Sequence, residues 1–155
     1  MCGSSTVAIE AALLATNRRP GLYRENYAFM HLVGFKQEMY AQQRERLNEI
    51  VTAVPGLMII ATDISSDAIN ISKINAGAAG VAGLIHFEVC DFEMTAMPGD
   101  GQGIMYFNPE YGDRMGEETG WQITYGRMGD VRNSKCQETG EGTVRVGWWI
   151  PWWVV

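Results

Sequence analysis

One stretch decides the fold: Leu57-Met58-Ile59-Ile60-Ala61-Thr62-Asp63, an apolar run that ends in an acid. A continuous run of this length predicts a β-strand buried on both faces, as in a parallel sheet. A similar run, Leu84 to Cys90, is followed by Asp91, and a third, Ile104 to Phe107, leads into Asn108. Each predicted strand thus delivers a polar residue at its carboxyl end, where open α/β sheets bind ligands.

Helical patterns separate or flank these strands. After Asp63, a cap at Ser65 or Ser66 starts a helix that Gly80 stops, with an apolar stripe of Ala68, Ile69, Ile71, Ile74 and Ala78. Val7 to Ala15 is a second helix, ended by Asn17 to Pro20, with Ser or Thr available as its cap. A third helix is expected over 36–54, with apolar residues at Met39, Tyr40, Leu47, Ile50 and Val51 and an end at Pro55-Gly56.

The carboxyl-terminal part carries weaker patterns. Glu117 to Cys136 predicts a helix, weakened by three glycines, and Thr143 to Val155 predicts a strand. Residues 137–155 contain the run Trp148-Trp149-Ile150-Pro151-Trp152-Trp153, which has no amphipathic period and is interpreted as a sticky strand or an aberrant terminus. The whole chain, 1–155, is predicted to be one partial catalytic domain with this atypical tail.

Composition excludes several classes of protein. A chain of 155 residues can bury a core, and no apolar run is long enough to span a bilayer, so a cytoplasmic protein is expected. Its three cysteines, Cys2, Cys90 and Cys136, are far apart and two histidines stand alone, which argues against a zinc site, any other metal site or a disulfide framework. The net charge of −6 argues against gripping nucleic acid by bulk electrostatics.

The strand-ending acids are candidates for holding a nucleotide-like ligand. Asp63 is suited to accept hydrogen bonds from a ribose diol, and Gly3 provides a turn that lets backbone approach such a ligand. Asp91 is suited to accept an adenine amino group, with the neighbouring backbone amide serving a ring nitrogen. For both acids a capping or turn role is the alternative. A nicotinamide fingerprint is absent, because Asp63 lies 60 residues after Gly3.

The tetrapeptide Asn108-Pro109-Glu110-Tyr111 indicates the chemistry. An exocyclic base amino group is a poor nucleophile because its lone pair is delocalised into the ring. Acceptance of both N–H bonds turns that lone pair towards an electrophile, and the Asn108 side-chain oxygen and the Pro109 carbonyl suit those two roles. Tyr111 offers a ring on which an extruded base can stack. The alternative interpretation of the tetrapeptide is a turn.

A basic and aromatic segment, residues 18–35, is interpreted as an insertion between two helices. Its Arg18, Arg19, Tyr23, Arg24, Tyr27 and Phe29 are suited to contact RNA phosphates and bases. The competing interpretation is an aromatic flap packed on the sheet. Arg114 is a further predicted RNA contact, unless Asp113 and Arg114 only shape the loop behind the tetrapeptide.

Together these stretches resemble the THUMP-associated RNA guanine-N2 methyltransferases, which include bacterial large-subunit ribosomal RNA enzymes and transfer RNA enzymes. The similarity covers residues 1–136 through Met1-Cys2-Gly3-Ser4-Ser5-Thr6, Glu10-Ala11-Ala12, Asn17-Arg18-Arg19-Pro20-Gly21, Ala61-Thr62-Asp63-Ile64, Asp91-Phe92 and Asn108-Pro109-Glu110-Tyr111-Gly112-Asp113-Arg114, with a weaker match from Met128 to Cys136.

The resemblance implies a Rossmann-like class I fold that uses S-adenosylmethionine to methylate the amino group of guanine in 23S-type ribosomal RNA. It also implies the residues that contact the cofactor, namely Cys2, Gly3, Ser4, Ser5, Thr6, Asp63, Ile64, Asp91, Phe92 and Asn108. Asn108, Pro109 and Tyr111 would face the guanine. Transfer RNA guanine, DNA adenine, protein glutamine, or an inactive fragment remain as alternatives.

Four departures from the family pattern bear on activity. The family has Gly at the place of Ser5 and a second Pro at the place of Glu110, and the pattern is not continued after about residue 137. The first strand with its Asp-Pro, and any RNA-capturing THUMP domain, are expected to lie on a part of the parent protein outside this sequence.

Overall fold

The computed structural model describes residues 1–22, 24–97, 103–107, 118–135 and 144–148. The helices are α1 (Thr6–Ala15), α2 (Gln37–Glu49), α3 (Ser66–Ala78) and α4 (Glu118–Lys135). The strands are β1 (Ile59–Asp63), β2 (Ile85–Val89), β3 (Gly103–Phe107) and β4 (Val144–Trp148). Short 3-10 turns occur at Ala28–His31, Ala82–Leu84 and Phe92–Met94.

The strands pair in parallel, as the apolar runs predicted. β1 lies beside β2 with Asp63 opposite Val89, and β3 lies beside β4 with Phe107 opposite Trp148. Parallel pairing puts the carboxyl ends of both strands of a pair at the same edge. Asp63 and Asp91 therefore lie at one edge, and the backbone N–H of Cys90 donates to the Asp63 carbonyl at 3.0 Å.

The first core lies between α1, α3 and the β1–β2 pair. It consists of Ile9, Ala12, Leu13, Ala61, Ala76, Val81 and Ile85. The predicted stripe of α3 is wrong in part: the buried positions are Ile69, Ser72 and Ala76, whereas Ile71 and Ile74 are 51% and 71% exposed. Two small residues on the buried face let the helix approach the strands closely, which turns the larger isoleucines outward.

The second core lies between α4, β3 and the turn after β2. Phe92, Phe107, Met128 and Val131 form it, and Phe92 meets Phe107 edge-on at 5.9 Å between ring centroids. The residues of α4 thus confirm the helix predicted over 117–136. Its three glycines are tolerated because the helix is held by this packing rather than by propensity alone.

The amino-terminal residues touch both cores. Cys2 packs against the first core, whereas the Met1 side chain packs against the second. The backbone N–H of Cys2 donates to the Thr62 carbonyl at 2.9 Å, and the Met1 amino group donates to the same oxygen. These hydrogen bonds therefore hold Met1 and Cys2 at the carboxyl end of β1.

The helix predicted over 36–54 is shorter than expected. It ends at Glu49, and none of its residues is buried. The backbone beyond it bonds elsewhere, because Asn17 Nδ2 donates to the Ile50 carbonyl at 3.1 Å and the Thr52 N–H donates to the Thr16 carbonyl at 2.9 Å. These tertiary bonds replace helical ones in a β-branched stretch that disfavours further helix.

Candidate cofactor site

The site is built around a hydrogen bond between the Gly3 turn and the end of β1. The Gly3 N–H donates to Asp63 Oδ2 at 2.9 Å, and the Ser65 N–H donates to Asp63 Oδ1 at 3.0 Å. Gly3 has φ +55°, a left-handed conformation that glycine adopts without strain, and none of the described residues lies within 4 Å of an added Cβ. The turn and the predicted ribose-binding acid are therefore brought together with open space above the glycine.

Two polar side chains of α3 hold the same turn from the other side. Ser72 Oγ donates to the Gly3 carbonyl at 2.8 Å, and Asn75 Nδ2 donates to the Ser4 carbonyl at 3.2 Å. Neither residue was among those predicted from the sequence. Their spacing, three apart and within a helix that starts after a strand-ending acid, was the available signal.

Ser5 occupies a strained position at the start of α1. Its φ is +60°, its side chain is buried, and its Oγ has no hydrogen-bond partner among the described residues. Ser5 stands at the N-cap of α1, but its side chain makes no capping bond, so the predicted capping by Ser or Thr is not found there. A left-handed backbone points a serine away from the capping geometry, which needs an extended residue. Glycine, which the family carries here, would be free of this strain.

The Asp63 carboxylate keeps room for a ligand. Burial raises the pKa of Asp63, but the N–H groups of Gly3 and Ser65 and the nearby Met1 amino group outweigh burial and hold the pKa below its ordinary value. Asp63 is not a helix cap, because Ser65 caps α3 by accepting from the Ala68 N–H at 3.2 Å. A carboxylate has about four acceptor positions, and these two backbone bonds leave others for hydroxyl donors.

Asp91 is held differently, by both a turn and a cation. The Glu93 N–H donates to Asp91 Oδ1 at 3.0 Å, so the turn role considered as the alternative is present. Arg127 of α4 donates to Asp91 Oδ2 at 2.9 Å and to Glu93 Oε1 at 2.7 Å, while its guanidinium lies 5.0 Å from the Phe92 ring centroid. We call Asp91, Glu93 and Arg127 the ion triad.

The ion triad stabilises the charged forms of its carboxylates. The Glu93 N–H and the Arg127 guanidinium lower the pKa of Asp91, and the Arg127 guanidinium lowers the pKa of Glu93. Lys135 also donates to the Glu93 and Thr95 carbonyls and so fixes the turn after β2 to the end of α4. No sequence pattern pointed to Arg127 or Lys135, because their partners depend on how α4 docks.

Ile64 and Phe92, the apolar residues that follow Asp63 and Asp91, differ in their exposure. Ile64 is 75% exposed directly after Asp63, whereas the Phe92 ring is buried in the second core. An exposed apolar side chain at the strand ends can cover a flat ring of a ligand. Any contact of Phe92 with a ligand has to come from its backbone.

Other predicted site residues have different outcomes. Asn108, Pro109, Tyr111, Arg114 and Tyr23 lie outside the described residues. Of the remaining predicted RNA contacts, Arg18 is half-buried, whereas Arg19 and Arg24 are exposed. Cys2 and Cys90 are free thiols, and Cys136 lies outside the described residues.

The described residues hold neither a cluster of metal ligands nor a helix that could span a membrane. Within those ranges no three or more His, Cys, Asp or Glu side chains cluster as metal ligands. None of the helices described above is both long and apolar enough to cross a bilayer.

A known protein family matches most of this chain. The model of the RMKL-like methyltransferase domain matches residues 1–146. The chain belongs to this family. The matched span extends past residue 136, where the similarity quoted above ends.

Curated relatives carry this domain within much longer chains. The ribosomal RNA large subunit methyltransferase K/L of Shewanella frigidimarina is 38% identical over 83% of this chain, and that of Legionella pneumophila strain Philadelphia 1 is 31% identical over 88%. The matched parts are 18% and 19% of those proteins. The chain thus spans less than one fifth of their length.

Solved structures show the fold. A Listeria monocytogenes protein described as a predicted N6-adenine-specific DNA methylase matches 94% of this chain and 37% of its own, with 31% identity and a TM-score of 0.78. SMU.472, crystallised with S-adenosylhomocysteine, matches 86% of this chain and 35% of its own, with 24% identity and a TM-score of 0.77. The expected Rossmann-like methyltransferase fold is confirmed.

Proposed function

We propose that this chain is the methyl-transferring part of an enzyme that uses S-adenosylmethionine to methylate the exocyclic N2 amino group of guanine in large-subunit ribosomal RNA. The observation that carries the proposal is the hydrogen bond between the Gly3 turn and Asp63. It joins a glycine turn to a strand-ending acid at the edge where α/β folds bind ligands. The Asp91 carboxylate follows the neighbouring strand at the same edge.

The residues at this edge fit a nucleoside cofactor. In this proposal the free acceptor positions of Asp63 bind the ribose hydroxyls, Asp91 accepts the adenine amino group, the Phe92 backbone amide serves a ring nitrogen, and Ile64 covers the ring. Cys2 to Thr6 line the methionine end. The S-adenosylhomocysteine bound to SMU.472 supports this choice of cofactor. When bound, the sulfonium supplies a methyl group that is already reactive.

The target amino group is assigned to the tetrapeptide at 108–111. Asn108 and Pro109 would accept its two N–H bonds and so direct the lone pair towards the methyl group, while Asn108 also borders the cofactor. Tyr111 would stack on the base. Arg114 is proposed to contact RNA phosphate. The names of the large-subunit relatives support ribosomal RNA as substrate, and a ribosomal substrate in turn implies a cytoplasmic location.

A second candidate function is methylation of DNA adenine, because the Listeria protein of similar structure is described as acting there. The chemistry at the amino group would be the same, and only the base and the polymer would differ. Incubation with ribosomal RNA, transfer RNA and DNA, followed by mass spectrometry of the nucleosides, distinguishes the two. N2-methylguanosine from ribosomal RNA is expected, and N6-methyladenine from DNA would favour the second candidate.

The division of roles is tested by paired substitutions. Asp63→Ala should weaken S-adenosylhomocysteine binding, measured by calorimetry, by about 100-fold or more, since it removes charge-assisted hydrogen bonds. Asn108→Ala should weaken this binding much less than Asp63→Ala does, but it should remove methyl transfer. Asp67→Ala, an equal loss of charge at an exposed position in the first turn of α3, is the matched control. Equal loss of binding in the Asp63 and Asn108 variants, or no binding by the unaltered chain, would contradict the proposal.

A further inference from the structure

A set of rings and arginines, none of them a residue named for the cofactor site, lies on α2 and the segment before it. Phe29 is at its centre, with ring centroids 5.2 Å from Tyr27 and 5.7 Å from Tyr40. Arg24 lies 4.9 Å from the Tyr27 ring centroid and Arg44 lies 5.8 Å from that of Tyr40. We call these five residues the arginine–aromatic surface. The rings of Tyr27, Phe29 and Tyr40 pack against one another.

The surface is held in a defined shape by backbone contacts. Tyr27 Oη donates to the Gly21 carbonyl at 2.7 Å, and a Cβ at position 21 would lie 2.0 Å from that hydroxyl. Gly21 also has φ +81°, so glycine is required there. Arg44 donates to the Leu22 carbonyl at 2.6 Å, which ties α2 to the segment that precedes the rings.

This region is exposed to an unusual extent for a segment rich in aromatic rings. No residue from 24 to 60 is buried, although rings normally carry much of a core. Phe29 is 44% exposed, and Tyr27 and Tyr40 are half-buried. The rings therefore keep faces that a partner can cover.

The charge of this segment is opposite to that of the remaining chain. Residues 18–46 contain six basic and three acidic residues, whereas the rest contains six basic and fifteen acidic residues. A local positive field on an acidic protein attracts a polyanion to this segment in preference to other faces. Planar guanidinium groups beside rings also match the two parts of a nucleotide, its phosphate and its base.

We propose that the arginine–aromatic surface binds single-stranded RNA outside the cofactor site. Bases would stack on the exposed faces of Phe29 and its neighbours, and Arg24 and Arg44 would contact phosphates. The charge of the segment favours RNA over a protein partner, since an excess of arginine attracts a polyanion most strongly. The identity of the polymer rests on the proposed function, whereas the surface itself does not.

Fluorescence anisotropy of a labelled 12-nucleotide RNA of mixed sequence tests this surface on the 155-residue chain. Phe29→Leu keeps an apolar side chain but removes the ring face, and binding should weaken roughly 5- to 100-fold, as expected for one lost stacking contact. Arg24→Gln should weaken binding and reduce the dependence of log K on log salt by about 0.7, the value for one phosphate contact on a single strand.

Lys73→Gln is the matched control, because it changes the net charge equally at an exposed position on α3. Its RNA affinity should stay at that of the unaltered chain. The proposal is overturned if the Phe29 and Arg24 variants bind RNA as Lys73→Gln does, or if the unaltered chain binds no RNA. It is also overturned if sedimentation shows a dimer that Phe29→Leu dissolves while RNA affinity is unchanged.

Calorimetry with S-adenosylhomocysteine separates this proposal from the function proposed above. Phe29→Leu should leave cofactor affinity unchanged. If the unaltered chain binds RNA but no cofactor, and Phe29→Leu weakens RNA binding, the proposed function is contradicted and the RNA-binding surface is supported. If the unaltered chain binds cofactor and the Phe29 variant keeps full RNA affinity, the RNA-binding surface is contradicted and the proposed function is supported.

Discussion

Asp63 and Asp91 end neighbouring parallel strands at one edge, yet the protein holds them by different means. Asp63 is fixed by the backbone N–H groups of Gly3 and Ser65, at the end of the strand whose Ala61 belongs to the first core. Asp91 is fixed by one backbone N–H and by the side chain of Arg127 beside the second core. Backbone donors remain after any substitution of their own side chains, whereas the Arg127 contact is lost with a single replacement. The Asp63 end should therefore be the more rigid of the two.

Among substitutions that test this difference between the Asp63 and Asp91 ends, Ser72→Ala should have the largest effect. Ser72 is fully buried and donates to the Gly3 carbonyl, so its loss leaves that carbonyl without this donor. Unfolding free energy should fall by about 1–3 kcal/mol, measured by urea denaturation. Cofactor affinity should fall too, because the Gly3 turn positions the N–H that holds Asp63.

Ser134→Ala is the matched control for this change. Ser134 Oγ donates to the Asp130 carbonyl at the same 2.8 Å, but Ser134 is exposed on α4. Its substitution should alter unfolding free energy by less than about 0.5 kcal/mol. Equal losses in the two variants would mean that the Gly3 turn is no better fixed than an exposed helix face.

The sequence predicted the Asp63 end better than the Asp91 end. The Gly3 turn, the β1 acid and the Ser65 cap all follow from local patterns, in which residue type and strand order suffice. The ion triad depends on where α4 docks, which no local pattern specifies. Docking also decides which face of α3 is buried, and for this reason the exposure of Ile71 and Ile74 was not predicted. When the buried face of a helix uses small residues, larger apolar residues can lie on its exposed face.

Ser5→Gly should strengthen the Asp63 end. Replacement removes both a left-handed serine and a buried hydroxyl that has no hydrogen-bond partner in the part of the chain that the structure describes. These gains exceed the extra entropy that glycine adds to the unfolded chain, so stability should rise by about 0.5–2 kcal/mol in thermal denaturation. The turn would then match the glycine that the family carries at this position.

Two further variants separate the causes of that effect. Ser5→Ala removes the hydroxyl but keeps the strain, so it should give only part of the gain. Ser66→Gly, the same substitution at the first residue of α3, should destabilise the protein because glycine is a poor helix former. A loss of stability in Ser5→Gly would show that the serine is not strained in the folded protein.

The smallest effect should come from Arg127→Gln, because all three members of the ion triad are more than a quarter exposed. The pKa values of Asp91 and Glu93 lie below their ordinary 3.8 and 4.5, so the contribution of Arg127 is full above about pH 5. It is lost as the pH falls through the lowered values, where both carboxylates become protonated. The stability difference between the variant and the unaltered chain should thus shrink as the pH falls from 7 into the acid range, whereas the contact with the Phe92 ring remains. Arg132→Gln, the same change five residues further along α4, should show no such pH dependence. A stability difference that stays constant over this range would mean that Arg127 acts through packing alone. Asp91 would then be held by backbone hydrogen bonds without help from a side chain, as Asp63 is held by Gly3.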